Sequence, residues 1–223
     1  MRLTHVALLS LGAGLLFGAS DAPKRLDAAA DVITEIMASP DKGIPQDLLD
    51  KSECVVVVPG LKKGAFIVGG KYGKGFMLCR KAGAGWSAPG SIRVEGGSFG
   101  FQIGGSETDV ILLVMNQGGV KKLLSSKFTL GADASAAAGP VGRTSSAATD
   151  AQMHAEILTY SRARGLFAGV SLEGATLRPD DDWNKELYGK AMTNQEIVTG
   201  NTQPPAAAKS LMSALNKYSS RRG

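Results

Sequence analysis

From Cys54 to Val94 the chain carries nine glycines and seven basic residues (Lys62, Lys63, Lys71, Lys74, Arg80, Lys81, Arg93) and no acidic residue. Glycine costs a helix interior about 1 kcal/mol relative to alanine, and the apolar runs between the glycines are β-branched or aromatic, which suits a pleated surface. This stretch must therefore fold as sheet. Val55 to Val58 reads as a buried strand closed by Pro59-Gly60, with Ala65–Val68 and Phe76–Leu78 as further strands. Gly69 to Gly75 reads as turn chemistry. That places the lysines at hairpin tips.

The flanks change period. Lys24 to Ser39 spaces Leu26, Ala29, Ala30, Ile33, Ile36 and Met37 as one helical face. Ile44 to Leu49 predicts a short helix with proline in its first turn. Ser91–Val94, Ser98–Ile103, Asp109–Met115, Ile157–Tyr160 and Gly165–Leu172 predict strands. Val120–Ser126, a helix opened by Asp180-Asp181-Asp182, a turn or two capped at Thr193, and Ala206–Tyr218 predict helices. Helices at both ends of a long β-rich middle make an α+β fold, with an antiparallel, barrel-like core, surface-packed helices and protruding loops.

Residues 1–20 have the layout of a signal peptide: Arg2, an apolar run from Val6 to Phe17, and a Gly18-Ala19-Ser20 end. The expectation is an exported chain, periplasmic or extracellular and peripheral on a membrane. Without Arg2, 24 basic and 20 acidic residues remain, a net charge of +4. This modest figure conceals the segregation that matters, since residues 54–94 alone hold +7. In an exported chain, Cys54 and Cys79 are either a disulfide closing a loop of about 25 residues or two buried free thiols.

Enzyme chemistry finds little footing. Gly96-Gly97-Ser98-Phe99-Gly100 has the spacing of a nucleophile elbow, but strand-like residues follow it where a helix is needed. Only His154 remains beyond the leader, so a triad and a multi-histidine metal site are both poorly supplied. Asp180-x-Asp182-x-Asn184 opens like a calcium loop but has Lys185 and Ala191 at its sixth and twelfth positions; the acids suit a helix N-terminus instead. Gly70, Gly73 and Gly75 lack the order of a dinucleotide fingerprint. The expectation is a non-catalytic protein with no cofactor or metal and no nucleic-acid partner. The basic loops point to phosphate or anionic head groups. A basic C-terminal helix with Lys209, Lys217, Arg221 and Arg222 can lie on a membrane or pack on the domain.

Several ordered motifs resemble the SYLF domain family. They are Val58-Pro59-Gly60, Lys63-Gly64-Ala65-Phe66, Gly70 to Gly75, Trp86-Ser87-Ala88-Pro89, Asp109 to Asn116, Leu130 to Ala134, Gly139 to Arg143, and Tyr160 to Ser171. Their succession runs from about Leu26 to Gly189. The resemblance implies a β-barrel core with surface helices and weak binding of phosphoinositides or other anionic lipids, without catalysis. Eukaryotic relatives also bind actin, a role not expected to transfer to an exported, bacterial-type chain, so actin is set down as an unlikely partner. The expected organisation is a leader (1–20), a lipid-binding domain (21–190), and a linker with an amphipathic helix (191–223). The lipid-contacting residues expected from electrostatics are Lys62, Lys63, Lys71 and Lys74, then Arg143, Arg162 and Arg164. The competing reading is an envelope structural or protein-interaction domain without lipid affinity.

Overall fold

The computed structural model describes residues 21–39, 41, 43–66, 68–81, 85–99, 104–142, 149–163 and 166–219. The expected leader therefore lies outside the described residues, as do Arg143 and Arg164.

Nine described strands form one sheet: β1 (Cys54–Phe66), β2 (Val68–Cys79), β3 (Gly90–Phe99), β4 (Gly104–Val114), β5 (Phe128–Thr129), β6 (Ala136–Ala138), β7 (Ile157–Ala163), β8 (Leu166–Gly169) and β9 (Thr176–Pro179). Their order is β5-β9-β3-β2-β1-β4-β7-β6, with β8 also on β7. The pairings are antiparallel except β6 with β7. The sheet curls into a half-barrel with helices at both ends, an α+β architecture.

Two local expectations are corrected. Pro59-Gly60 does not close β1, and Gly69 to Gly75 is not a turn. β1 runs through the proline and β2 through the glycines, giving one long hairpin. Proline has no N–H to give to a ladder, and the strand accommodates it with a bulge. The register against β4 shifts between Val58 and Leu61, and that against β2 between Val57 and Lys62. Gly60 sits at φ +58°, a left-handed conformation suited to glycine. The facing stretch of β2 must come close, and a Cβ on Gly75 would lie 2.1 Å from the carbonyl oxygen of Val57. Those glycines permit strand contact where local sequence suggests a turn.

The valine run is buried on both faces, as a continuous apolar strand should be. Val55 and Val57, with Phe76 and Leu78, face a core shared with α1 (Asp21–Met37), α2 (Gln46–Lys51), α5 (Asp181–Tyr188) and α7 (Lys209–Tyr218). Val56, Val58 and Met77 face a second core with α3 (Gln117–Leu123) and α6 (Asn194–Thr199). α1 lays Leu26, Ala29, Ile33 and Ile36 inward, all fully buried. Each large side chain there contributes roughly 1.5–3 kcal/mol.

α7 packs against α1, with Leu211 and Leu215 buried, so its apolar face is used inside the molecule. Its end is fastened by Arg80, which donates to the carbonyls of Ser219 (2.6 Å) and Leu49 (3.0 Å) and stacks 3.8 Å from the Trp86 ring centroid. α5 and α6 are tied to β3 through buried amides. Ser91 N–H donates to Asn184 (2.8 Å), and the Asn194 amide donates to the Ser91 carbonyl (3.0 Å). Such buried polar groups need these partners. Cys54 and Cys79 stand opposite each other at the base of the β1–β2 hairpin and are joined by a disulfide.

Candidate functional site

The far end of the β1–β2 hairpin carries two rows of side chains, one on each face. Across β3, β2, β1 and β4 the first row is Gly96, Lys71, Lys63, Ser106. It contains two cations and no acid. The second row, on the other face, is Glu95, Tyr72, Lys62, Glu107. Here Lys62 stands between a half-exposed tyrosine and a glutamate. Lys62 is exposed, and Lys63 and Lys71 are partly so. None of the three has an ion-pair partner among the described residues.

Lys71 is electrostatically distinct. Burial, and then the like charge of Lys63 opposite, hold its ammonium below the ordinary lysine range. Two cations held by a ladder with no neutralising acid can bind an anion that bridges them.

Of the other expected residues, Lys74 and Arg162 are the described ones, and both are engaged by acids. Lys74 pairs with buried Asp180 at 2.7 Å and lies 4.5 Å from the Trp183 ring centroid. Asp180 also caps α5 by accepting from Trp183 N–H, which accounts for the acid triplet there. Arg162 on β7 is clamped. Its guanidinium contacts Asp109 at 2.6 Å and pairs with Glu35 of α1, fastening that helix to the sheet. Within the acid-free stretch, Lys74 and Arg93 are thus paired with acids outside it, Asp180 and Glu95, whereas Lys62, Lys63 and Lys71 are not, among the described residues.

Cations outside the expected contact set lie nearby. Arg93 and Arg178 face each other across β3 and β9 and share Glu95, at 2.9 and 3.5 Å. Arg25 of α1 donates to the Pro59 carbonyl at the bulge (2.6 Å). Beside it a groove of about 590 Å3 lies between α1 and the bulge, lined by Lys24, Arg25 and Arg162 together with Asp21, Glu107 and Asp109. Local sequence holds no signal for this groove, because its walls come from α1, β1, β4 and β7. Ser98 lies within β3 opposite Gly69, so it does not sit on a strand-to-helix elbow.

The family model described as Las17-binding protein actin regulator, Ysc84, matches residues 95–218. This chain belongs to the Ysc84 family, the SYLF domain proteins. LAS seventeen-binding protein 3 of Saccharomyces cerevisiae is 34% identical over 178 residues, covering 78% of this chain and 39% of that protein. SH3 domain-containing YSC84-like protein 1 of Mus musculus is 33% identical over 188 residues, covering 83% and 55%. An SH3 domain-containing protein of Schizosaccharomyces pombe is 36% identical over 176 residues, covering 78% and 41%. The SYLF chain thus spans about two fifths to just over half the length of these relatives, which are binding and SH3 domain-containing proteins by name.

Two expectations are overturned by these findings. Actin is not an unlikely partner, because the family is described as an actin regulator. The assignment to export, periplasmic or extracellular, is withdrawn too. The matched relatives are yeast and vertebrate proteins of an actin-regulator family, and nothing in them supports an export route.

Proposed function

We propose that this SYLF domain is a non-catalytic module that contacts anionic head groups through Lys63 and Lys71, with Lys62 and Tyr72 on the reverse face of the same hairpin. The observation that carries this reading is the acid-free row in which Lys63 and Lys71 stand opposite each other. A phosphate bridging the two ammonium groups relieves their mutual repulsion, so binding gains both the new attraction and the removal of an existing cost. Tyr72 is amphipathic and suits the boundary between head groups and water. Lys74 and Arg162 are left out because each already serves an internal acid.

The test is sedimentation with neutral and with anionic phospholipid vesicles at two salt concentrations. Each lysine near an anionic surface contributes about 1 kcal/mol, so K62Q/K63Q/K71Q should lose roughly 100-fold in affinity. Binding should weaken with salt. Equal binding by the triple variant would remove these residues from the site.

A second reading rests on the family description as an actin regulator. In it the same module meets a protein of the actin machinery. Co-sedimentation with actin filaments that persists in K62Q/K63Q/K71Q, alongside lost vesicle binding, would assign the two partners to separate surfaces.

A further inference from the structure

The base of the hairpin carries chemistry that head-group binding does not use. Cys54 and Cys79 are directly opposed across β1 and β2. The next pair outward is hydrogen-bonded, Arg80 N–H donating to Glu53 at 2.8 Å, so the cysteines occupy the closely spaced kind of antiparallel pair. Both line a cleft of about 480 Å3 whose other walls include Glu53, Lys81, Val120, Leu124, Val198 and Thr199. Burial is unequal: Cys54 is 0% exposed and Cys79 is 7% exposed.

We propose that Cys79 is a site of reversible thiolation, at which a low-molecular-weight thiol entering the cleft exchanges with the Cys54–Cys79 disulfide. The thiolate attacks Cys79 Sγ and forms a new S–S bond there. The bond to Cys54 breaks, its electron pair leaves on Cys54 Sγ, and that sulfur takes a proton from water. The product is a mixed disulfide on Cys79 and a thiol on Cys54. A second thiolate attacking the mixed disulfide releases the small oxidised disulfide and leaves two cysteine thiols, so two thiols are oxidised and one protein disulfide is reduced. Alternatively, Cys54 attacks Cys79 and restores the original bond. Attack is directed to Cys79 because it is the more exposed of the two residues, 7% against 0%. Lys81 on the cleft wall favours an incoming thiolate. The adduct would occupy space between β2 and the helices α3 and α6.

The experiment treats the folded, oxidised full chain with reduced glutathione, quenches with acid, alkylates free thiols and maps the adducts by mass spectrometry. The expected result is glutathione on Cys79 and alkylation on Cys54, favoured roughly tenfold or more over the reverse. K81Q should slow formation of the adduct. As a second measurement, the Cys79 thiol of C54S should react with a neutral aromatic disulfide in the native state, whereas the Cys54 thiol of C79S should react only after unfolding. Adducts shared evenly, adducts mainly on Cys54, a bridge that yields only on unfolding, or two free thiols in the air-oxidised protein would each overturn the proposal. Vesicle binding is scored separately, so failure here leaves the head-group reading standing, and the reverse.

Discussion

Lys63 and Lys71 face each other directly across the β1–β2 ladder, and Lys71 is held below the ordinary lysine pKa, first by burial and then by Lys63. The unfolded chain, free of both effects, binds the Lys71 proton more tightly than the native state does.

It follows that this pair costs stability when both are charged. Between the lowered native pKa of Lys71 and its unfolded value of 10.5, the unfolded state binds more protons, so stability rises with pH across that window. Lys63→Gln removes the second cause. The Lys71 titration should move upward and the slope should shrink. The gain at neutral pH should be a few tenths of a kcal/mol, because solvent screens the pair. Side-chain NMR titration of Lys71 and urea unfolding at several pH values measure both, and an unmoved Lys71 titration contradicts the assignment.

Lys74 should behave oppositely to its neighbours. Lys74→Met strands Asp180, which is 1% exposed, without its partner at 2.7 Å. The expected loss is about 2–3 kcal/mol, below the usual figure for breaking a fully buried pair because Lys74 retains some exposure. Lys74→Met/Asp180→Asn should recover part of it. Vesicle affinity of the folded variant should equal wild type. Denaturant unfolding and sedimentation together separate this residue from the Lys63–Lys71 site.

Gly75→Ala places a Cβ 2.1 Å from the Val57 carbonyl oxygen, a contact only backbone movement can relieve. The expected cost is about 3 kcal/mol or more. Gly97→Ala meets nothing within 4 Å and should stay within about 0.5 kcal/mol of wild type. Parallel urea melts compare them, and equal costs would contradict the close approach of β2 to the bulge.

Removing the bridge with C54S/C79S opens a loop whose ends are 25 residues apart. The chain-entropy model puts the loss at about 3 kcal/mol, which in a domain of this size lowers Tm by about 6–12 °C. Calorimetry of the oxidised wild type against the double variant measures it.

The elements were legible wherever the signal was local. α1, the valine strand and the Thr193 capping box each follow from side chains within a few residues of one another; α1 and the capped helix appear within a few residues of their expected bounds, and the valine strand starts where expected but runs on to Phe66. The hairpin was misjudged at Pro59-Gly60 and at Gly69–Gly75. There proline and glycine carry their usual turn meaning in sequence, yet in the fold they serve a bulge in one strand and close approach by the other. Of the candidate cations, Lys62, Lys63 and Lys71 stay together on the hairpin, while Lys74 and Arg162 are taken up by acids far away in sequence.

Sequence alone determined that residues 54–94 form sheet and that helices flank it, because backbone preference and burial period act over a few residues. It also carried the ordered motifs of the SYLF family. Tertiary structure decided which positive charges remain available. Charge at a point depends on every group within several ångströms, and Asp180, Glu35 and Asp109 reach those points only through α5, α1 and β4 packed on the hairpin's own sheet.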